Sequence, residues 1–264
     1  GILQEGYQVG FFLASLANLA LPTLHWRGML MLGVAPALLI LYIRRNVPES
    51  PAWRAGRAEG KAHNASFIKA MKGRWPLLIY AVALMTCFNF FSHGSQDIYP
   101  TFLRVQHKFS PAVVTMLTMA LNVGAIAGGV IFGSLSERIG RRRAIVLAAL
   151  LALPIIPLWA FSATPLMLGL GAFLIQIAIQ GAWGVVPVHL NELSPPEARG
   201  AFPGFAYQIG NLIAAWNDAL QAGIAESHAN NYGLALALVC GVVAIVLSLV
   251  TWFRPEAKGV SFSG

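Results

Sequence analysis

Residues 76–103 read PLLIYAVALMTCFNFFSHGSQDIYPTFL, an apolar run long enough to cross a bilayer with a histidine and an aspartate set inside it. A charged side chain at mid-bilayer costs at least ~2.5 to 3.5 kcal/mol, so ionisable groups there usually face a polar cavity and mark a path for a proton, an ion or a substrate. On a helix Asn89, Ser92, His93 and Gln96 fall at i, i+3, i+4 and i+7, with Asp97 one step further, so one face carries them all. Pro100 should disturb the helix just beyond Asp97.

The rest of the chain is equally apolar. Of 264 residues, 57% are hydrophobic and 11% charged, and the mean hydropathy is +0.65, a surface that an ordinary soluble domain of this size would not carry. Eight apolar segments lie near the ~17 to 25 residues of a spanning helix. They cover roughly 3–24, 28–43, 76–103, 111–135, 144–161, 166–190, 201–225 and 232–253, and the second is short. None alternates as a barrel strand does. The fold class is therefore all-α, a polytopic membrane protein. Cys87 and Cys240 sit in apolar surroundings without metal-ligand spacing and read as small buried hydrophobes. The formal charge of +8 is confined to loops, so it reports topology and excludes nucleic acid as a partner.

All but three of the 18 Lys and Arg residues, the exceptions being Arg27, Arg104 and Lys108, fall on one side of the alternating segments. The long loop from Arg44 to Arg74 and the C-terminus are therefore expected in the cytoplasm, with the chain in a cell inner (plasma) membrane. Gly1 opens directly on an apolar segment, so the chain reads as cut at its N-terminal side. Residues 1–44 would be the last two helices of a first half, 45–75 a cytoplasmic linker, 76–254 a six-helix second half and 255–264 a tail. That is the pattern left when a six-plus-six architecture lacks four helices.

Gly133, Ser134, Leu135, Ser136, Glu137, Arg138, Ile139, Gly140, Arg141 and Arg142 resemble the cytoplasmic loop motif of major facilitator superfamily transporters, with Glu137 where Asp is usual. Glycines permit a tight turn, and an acid beside a basic cluster at helix ends can form charge pairs that lock one conformation and break in the other. Gly133, Glu137, Arg138, Gly140, Arg141 and Arg142 are therefore candidate gate residues. Leu193 to Gly200 resembles the loop before the eleventh helix of the same superfamily, which makes the eight segments helices five to twelve of twelve.

The run Asn89 to Thr101 resembles, position for position, the signature Asn-x-x-Ser/Thr-His-x-Ser/Thr-Gln-Asp-x-x-x-Thr of the Jen-type lactate and pyruvate:proton symporters. Asn89, Ser92, His93, Ser95, Gln96, Asp97 and Thr101 fill its defined positions. Gln208 and Asn211 resemble the glutamine and asparagine that this family assigns to substrate binding in the eleventh helix. The resemblance implies symport of a proton with a small monocarboxylate such as lactate or pyruvate, by alternating access. A monocarboxylate needs donors and a compensating positive charge, and an ordinary histidine, with a pKa of about 6.5, gains and loses charge near neutrality. His93 and Asp97 would titrate as a coupled unit and carry the proton. Asn89, Ser92, His93, Gln96, Thr101, Gln208 and Asn211 would bind the substrate. The coupling ion is the proton, and no other cofactor or metal is expected. The remaining partners are the lipid bilayer and the absent first-half helices.

Other readings compete. The run Pro48 to Pro51 resembles the end of the sixth helix in sugar porters, which keeps sugar open, and sialic acid is both sugar and carboxylate. A sensor on the same scaffold would bind without net uptake. An enzyme is not expected, since no His-rich metal cluster, Gly-x-Ser-x-Gly elbow or phosphate loop is present in the sequence. Asn217 and Asp218 suit either the interface or a second titrating site, and Gln4, Glu5 and Tyr7 either the cavity or the interface. Gly124 with Gly128, and Gly129 with Gly133, are spacings for close helix approach. Gly181, Trp183 and Pro187 suit either a bend or packing.

Overall fold

The computed structural model describes residues 5–21, 26–46, 48, 67 and 71–253. The tail, most of the linker with Arg54, Arg57, Lys61 and Lys69, and Gln4 lie outside them, as does the side chain of Glu5. Among the described residues all regular structure is helical. The first helices are α1 (Glu5–Ala20), α2 (Trp26–Leu32), α3 (Ala35–Asn46) and α4 (Trp75–Gln96). They are followed by α5 (Pro111–Ile139), α6 (Arg141–Ala160), α7 (Pro165–Leu193), α8 (Phe202–Ala214), α9 (Asn217–Ser227) and α10 (Tyr232–Trp252). Among the described residues, five stretches are long and apolar enough to cross a membrane: Trp75–Gln106, α5, α6, α7 and α10.

Three expected spans are interrupted, and prolines account for two of the breaks. A proline lacks the N–H that would bond the carbonyl four residues back, and its ring crowds that carbonyl. Pro100 thus ends α4 at Gln96, as expected, and the chain resumes as one turn, Tyr99–Thr101, and a π-helical stretch, Phe102–Gln106. Pro36 stands in the same relation to Leu32, the last residue of α2, so the second span is two short helices joined at Gly33 and Val34. The third break, at Ala215 and Trp216, divides the segment read as 201–225 into α8 and α9. No proline lies there. Asn217 donates to Asp218 across 3.0 Å at the start of α9, and such short polar side chains favour helix ends over helix interiors.

The starts of the long helices follow from sequence. Ser110, Thr164 and Asn231 each accept a backbone N–H three residues on, and Pro111 and Pro165 fill first helical positions where no N–H is needed. The tightest crossing is α5 on α7. A Cβ on Gly124 or Gly128 would collide with the backbone of Phe173 or Ile177, and one on Gly184 would lie 2.8 Å from the Gly129 Cα. Small residues here bring two backbones together, as the glycine spacing predicted. On the far side α6 packs against α7 and α10, α4 lies against α8, α10 and α7, and α1 rests on α5. Tyr99, Phe88, Phe91 and Trp159 are fully buried between these helices, and Tyr99 stacks on Trp159 and donates to the Leu168 carbonyl across 3.1 Å.

Candidate functional site

The α4 face predicted to be polar is assembled as its spacing requires. His93 Nδ1 lies 2.9 Å from Asp97 Oδ2, one helical turn on, with side chains 32% and 38% exposed. Because Asp97 takes Nδ1, the other ring nitrogen, Nε2, is the one left for a ligand. Asp218 of α9 stands within electrostatic range of His93, and Tyr7 of α1 within range of Asp97 and Tyr207. The pair thus looks from α4 toward α1 and α9.

Behind the pair is a buried polar layer shared with α7. Gln180 Nε2 and Gln96 Nε2 each donate to Ser92 Oγ across 2.9 Å, and Gln176 Nε2 donates to Ser95 Oγ across 2.9 Å. Ser95 in turn donates to the Ser92 carbonyl at 2.8 Å. On the other flank Gln221 of α9 donates to the Gly94 carbonyl at 2.7 Å. A Cβ at Gly94 would press on Asn217 Oδ1 and Val239 at 3.2 Å, so glycine lets α9 and α10 approach here. Asn89 is fully buried, and neither its Oδ1 nor its Nδ2 has a hydrogen-bond partner among the described residues. In an apolar interior such a group is costly unless a ligand or water satisfies it.

Asn89, Ser92, His93, Gln96 and Asp97 therefore come together. Thr101 does not join them: it lies beyond the break, exposed, in the turn Tyr99–Thr101. Gln208 is exposed and Asn211 half-buried on α8, which meets α4 where Gly210 abuts the Met85 backbone. Tyr207 packs edge-on to Trp183, which does the same to Phe88. Trp183, Tyr207 and Pro187 line a cavity of about 270 Å³ among α4, α7 and α8. Gly181 is pressed on the Phe132 ring, and α7 stays helical through Pro187.

At the opposite end of the bundle Gly140, with φ of 94°, turns α5 into α6. Arg141, 5% exposed, donates to Ser136 Oγ at 2.7 Å, to Glu137 Oε1 at 2.8 Å and to Glu192 Oε1 of α7 at 3.3 Å. Arg142 reaches the Trp252 carbonyl at 3.4 Å and lies over its ring. Gly133 is half-buried and Arg138 exposed on the last turns of α5. The sequence reading identified the arginine and Glu137 but missed Glu192, the buried partner. It also missed Gln176 and Gln180. An i, i+4 pair of glutamines inside the run 166–190 was the available signal.

Among known proteins, the family described as Sugar (and other) transporter matches residues 1–74 and 77–259. The carboxylic acid transporter protein homolog of Saccharomyces cerevisiae is 32% identical over 196 residues, 74% of this chain and 32% of that protein. The sialic acid transporter NanX of Escherichia coli is 25% identical over 97% of this chain and 63% of its own length. The cis,cis-muconate transport protein of Acinetobacter baylyi is 25% identical over 97% of this chain and 65% of its own. The chain thus spans about a third of the first relative and less than two thirds of the other two.

Proposed function

The chain belongs to the sugar (and other) transporter family of the major facilitator superfamily, membrane transporters rather than enzymes, and from that premise we propose that the complete protein is a proton-coupled symporter of a small monocarboxylate such as lactate or pyruvate. The observation that carries the reading is the His93–Asp97 pair at 2.9 Å, held half-exposed on the polar face of a membrane helix. Asp97 orients the ring through Nδ1. Protonated, His93 offers Nε2–H and a positive charge to a carboxylate, and loss of the proton removes both. Proton and anion therefore enter and leave together. Asn89, Ser92, Gln96, Gln208 and Asn211 supply further hydrogen bonds to the substrate.

The Arg141 network gives this site a gate. Arg141 ties the α5–α6 turn to the end of α7 through Glu192, and breaking that tie on one face of the membrane while the other closes is how alternating access would use it. A proton gradient of one pH unit is worth about 1.36 kcal/mol per proton, enough to concentrate a co-transported anion roughly tenfold. The yeast relative named for carboxylic acid transport supports this substrate class. The second reading is sialic acid, favoured by the match to NanX along nearly the whole chain.

Uptake of labelled lactate, sialic acid and glucose by cells expressing the complete protein, under an imposed inward proton gradient, tests the reading. Gradient-dependent lactate uptake that loses its proton dependence in Asp97→Asn is expected. Sialic acid uptake alone selects the second reading, and Asp97→Asn carrying lactate at unchanged proton stoichiometry removes the pair from coupling.

A further inference from the structure

The first turns of α6 and the last turns of α10 enclose a groove that shares no residue with the polar face of α4. Val146, Leu150, Ile245, Ser248, Leu249 and Trp252 line it, around a space of about 340 Å³. Ser248 donates its hydroxyl to the Ala244 carbonyl at 2.7 Å, so the walls offer a ligand only apolar surface. Arg142 and Arg143 precede Val146 by four and three residues, and Leu150 follows Val146 by four, so arginines and groove lining share one face of α6. From Arg142 to Leu150 the helix rises about 12 Å. The Arg142 guanidinium carbon lies 5.1 Å from the centre of the Trp252 ring, and its Nη1 donates to the Trp252 carbonyl at 3.4 Å. Arg142 therefore stands at the mouth of the groove, with Arg143 exposed next to it.

We propose that this groove is a binding site for one anionic phospholipid, its phosphate held by Arg142 and Arg143 and one acyl chain laid between α6 and α10. The inference is independent of what the transporter carries. Charge and apolar surface are arranged as such a lipid is, with two cations at one end and a dry channel leading away from them. A guanidinium matches the oxygens of a phosphodiester, and basic sites between membrane helices on the cytoplasmic side recognise anionic head groups in this way. Trp252 beside the arginines suits the headgroup level, where amphipathic rings collect. The end of the bundle concerned is the one expected to face the cytoplasm, the leaflet in which anionic lipids are concentrated. A zwitterionic lipid with the same chains fills the channel equally well but brings its own cation to the arginines, so head-group charge sets the preference.

Lipids with brominated acyl chains quench tryptophan on contact, and Trp252 lines the groove. The complete protein is reconstituted in phosphatidylcholine vesicles containing brominated phosphatidylglycerol or brominated phosphatidylcholine with the same chains. The quenching that disappears in Trp252→Phe reports lipid in the groove. Brominated phosphatidylglycerol should reach half of that quenching at a mole fraction at least about fivefold lower than brominated phosphatidylcholine, since each arginine near an anionic surface contributes roughly fivefold. Arg143→Gln, a change at an exposed position that the fold should tolerate, should lower the ratio, and Arg142→Gln with Arg143→Gln should bring it to about one. Arg143→Lys should keep most of it. Equal mole fractions for the two lipids in the unmodified protein overturn the inference, as does a ratio unchanged by Arg143→Gln and by the double replacement. Absence of Trp252 quenching by either lipid also overturns it, because the groove is then filled by something other than lipid.

Discussion

Arg141 and Glu192 are 5% and 7% exposed, so each is expensive alone and tolerable only because of the other. Removing one partner of a buried ion pair typically costs 3 to 5 kcal/mol, because the survivor is left charged and unpaired, whereas replacing both with apolar groups is often far milder. Arg141→Leu and Glu192→Leu should each lower the melting temperature of the purified protein sharply, and the double replacement should recover much of the loss. Glu137, bonded to the same guanidinium but with a side chain 64% exposed, should matter little, within about 1 kcal/mol for Glu137→Ala. His107 makes a second prediction. It lies between Phe102 and Phe109, its Nε2 is buried without a partner among the described residues, and burial holds its pKa below the ordinary 6.5. The folded state favours the neutral ring, so its contribution to stability is complete above pH 6.5 and is lost as pH falls from there through the lowered value. A melting curve that weakens between pH 7 and 5, and flattens in His107→Phe, is the expected result. At this scale the sequence disclosed what lies within one helical turn, such as His93 with Asp97 or Arg141 with Glu137. It did not disclose Ser92 with Gln180 or Arg141 with Glu192, because those partners meet only once α4, α6 and α7 have packed.

Two of the three helix breaks lie four residues before a proline, and the rule is local enough to test directly. Pro100→Ala restores the N–H that Gln96 lacks as a partner, so α4 should continue through Asp97 and Ile98. Slower amide hydrogen exchange over residues 97–101 would show the extension, and unchanged exchange would mean that packing of Tyr99 against Trp159 imposes the break by itself. The α5–α7 crossing predicts the opposite kind of failure. Gly128→Val places a branched side chain where the Ile177 backbone already stands, and a drop in folded yield is expected rather than a change in rate. Helix class, the α4 break and the glycine crossing were all legible, because each depends on a few neighbouring residues and simple sterics. The division of α8 from α9 was not. Neither piece is interrupted by proline, and the docking of α9 on α4, where Gln221 donates to the Gly94 carbonyl, is a contact across 127 positions of sequence.

Across the whole molecule the side-chain contacts sort the helix ends into two sets, and this gives the charge-based orientation an independent handle. The start of α6 meets the end of α7 through Arg141 and Glu192, and the end of α10 through Arg142 and Trp252. At the far end Gln106 accepts the Gly233 N–H at 3.1 Å, joining the chain after α4 to the start of α10, and Tyr99 reaches Leu168 near the start of α7. Thus α4, α5, α6 and α7 run in alternate directions, and α10 runs the same way as α7, with α8 and α9 between them in the chain. The first set carries Arg138, Arg141, Arg142 and Arg143 and the second Arg104 and Lys108, so the expectation from the positive-inside rule is that the first set faces the cytoplasm. Single cysteines at two exposed positions, Arg143→Cys and Asn230→Cys, in a background of Cys87→Ala and Cys240→Ala, decide the matter. A membrane-impermeant maleimide should label Asn230→Cys in intact cells and Arg143→Cys only after permeabilisation. The reverse pattern would invert the orientation of every helix at once, and with it the face from which a proton gradient must be imposed to drive uptake through His93 and Asp97.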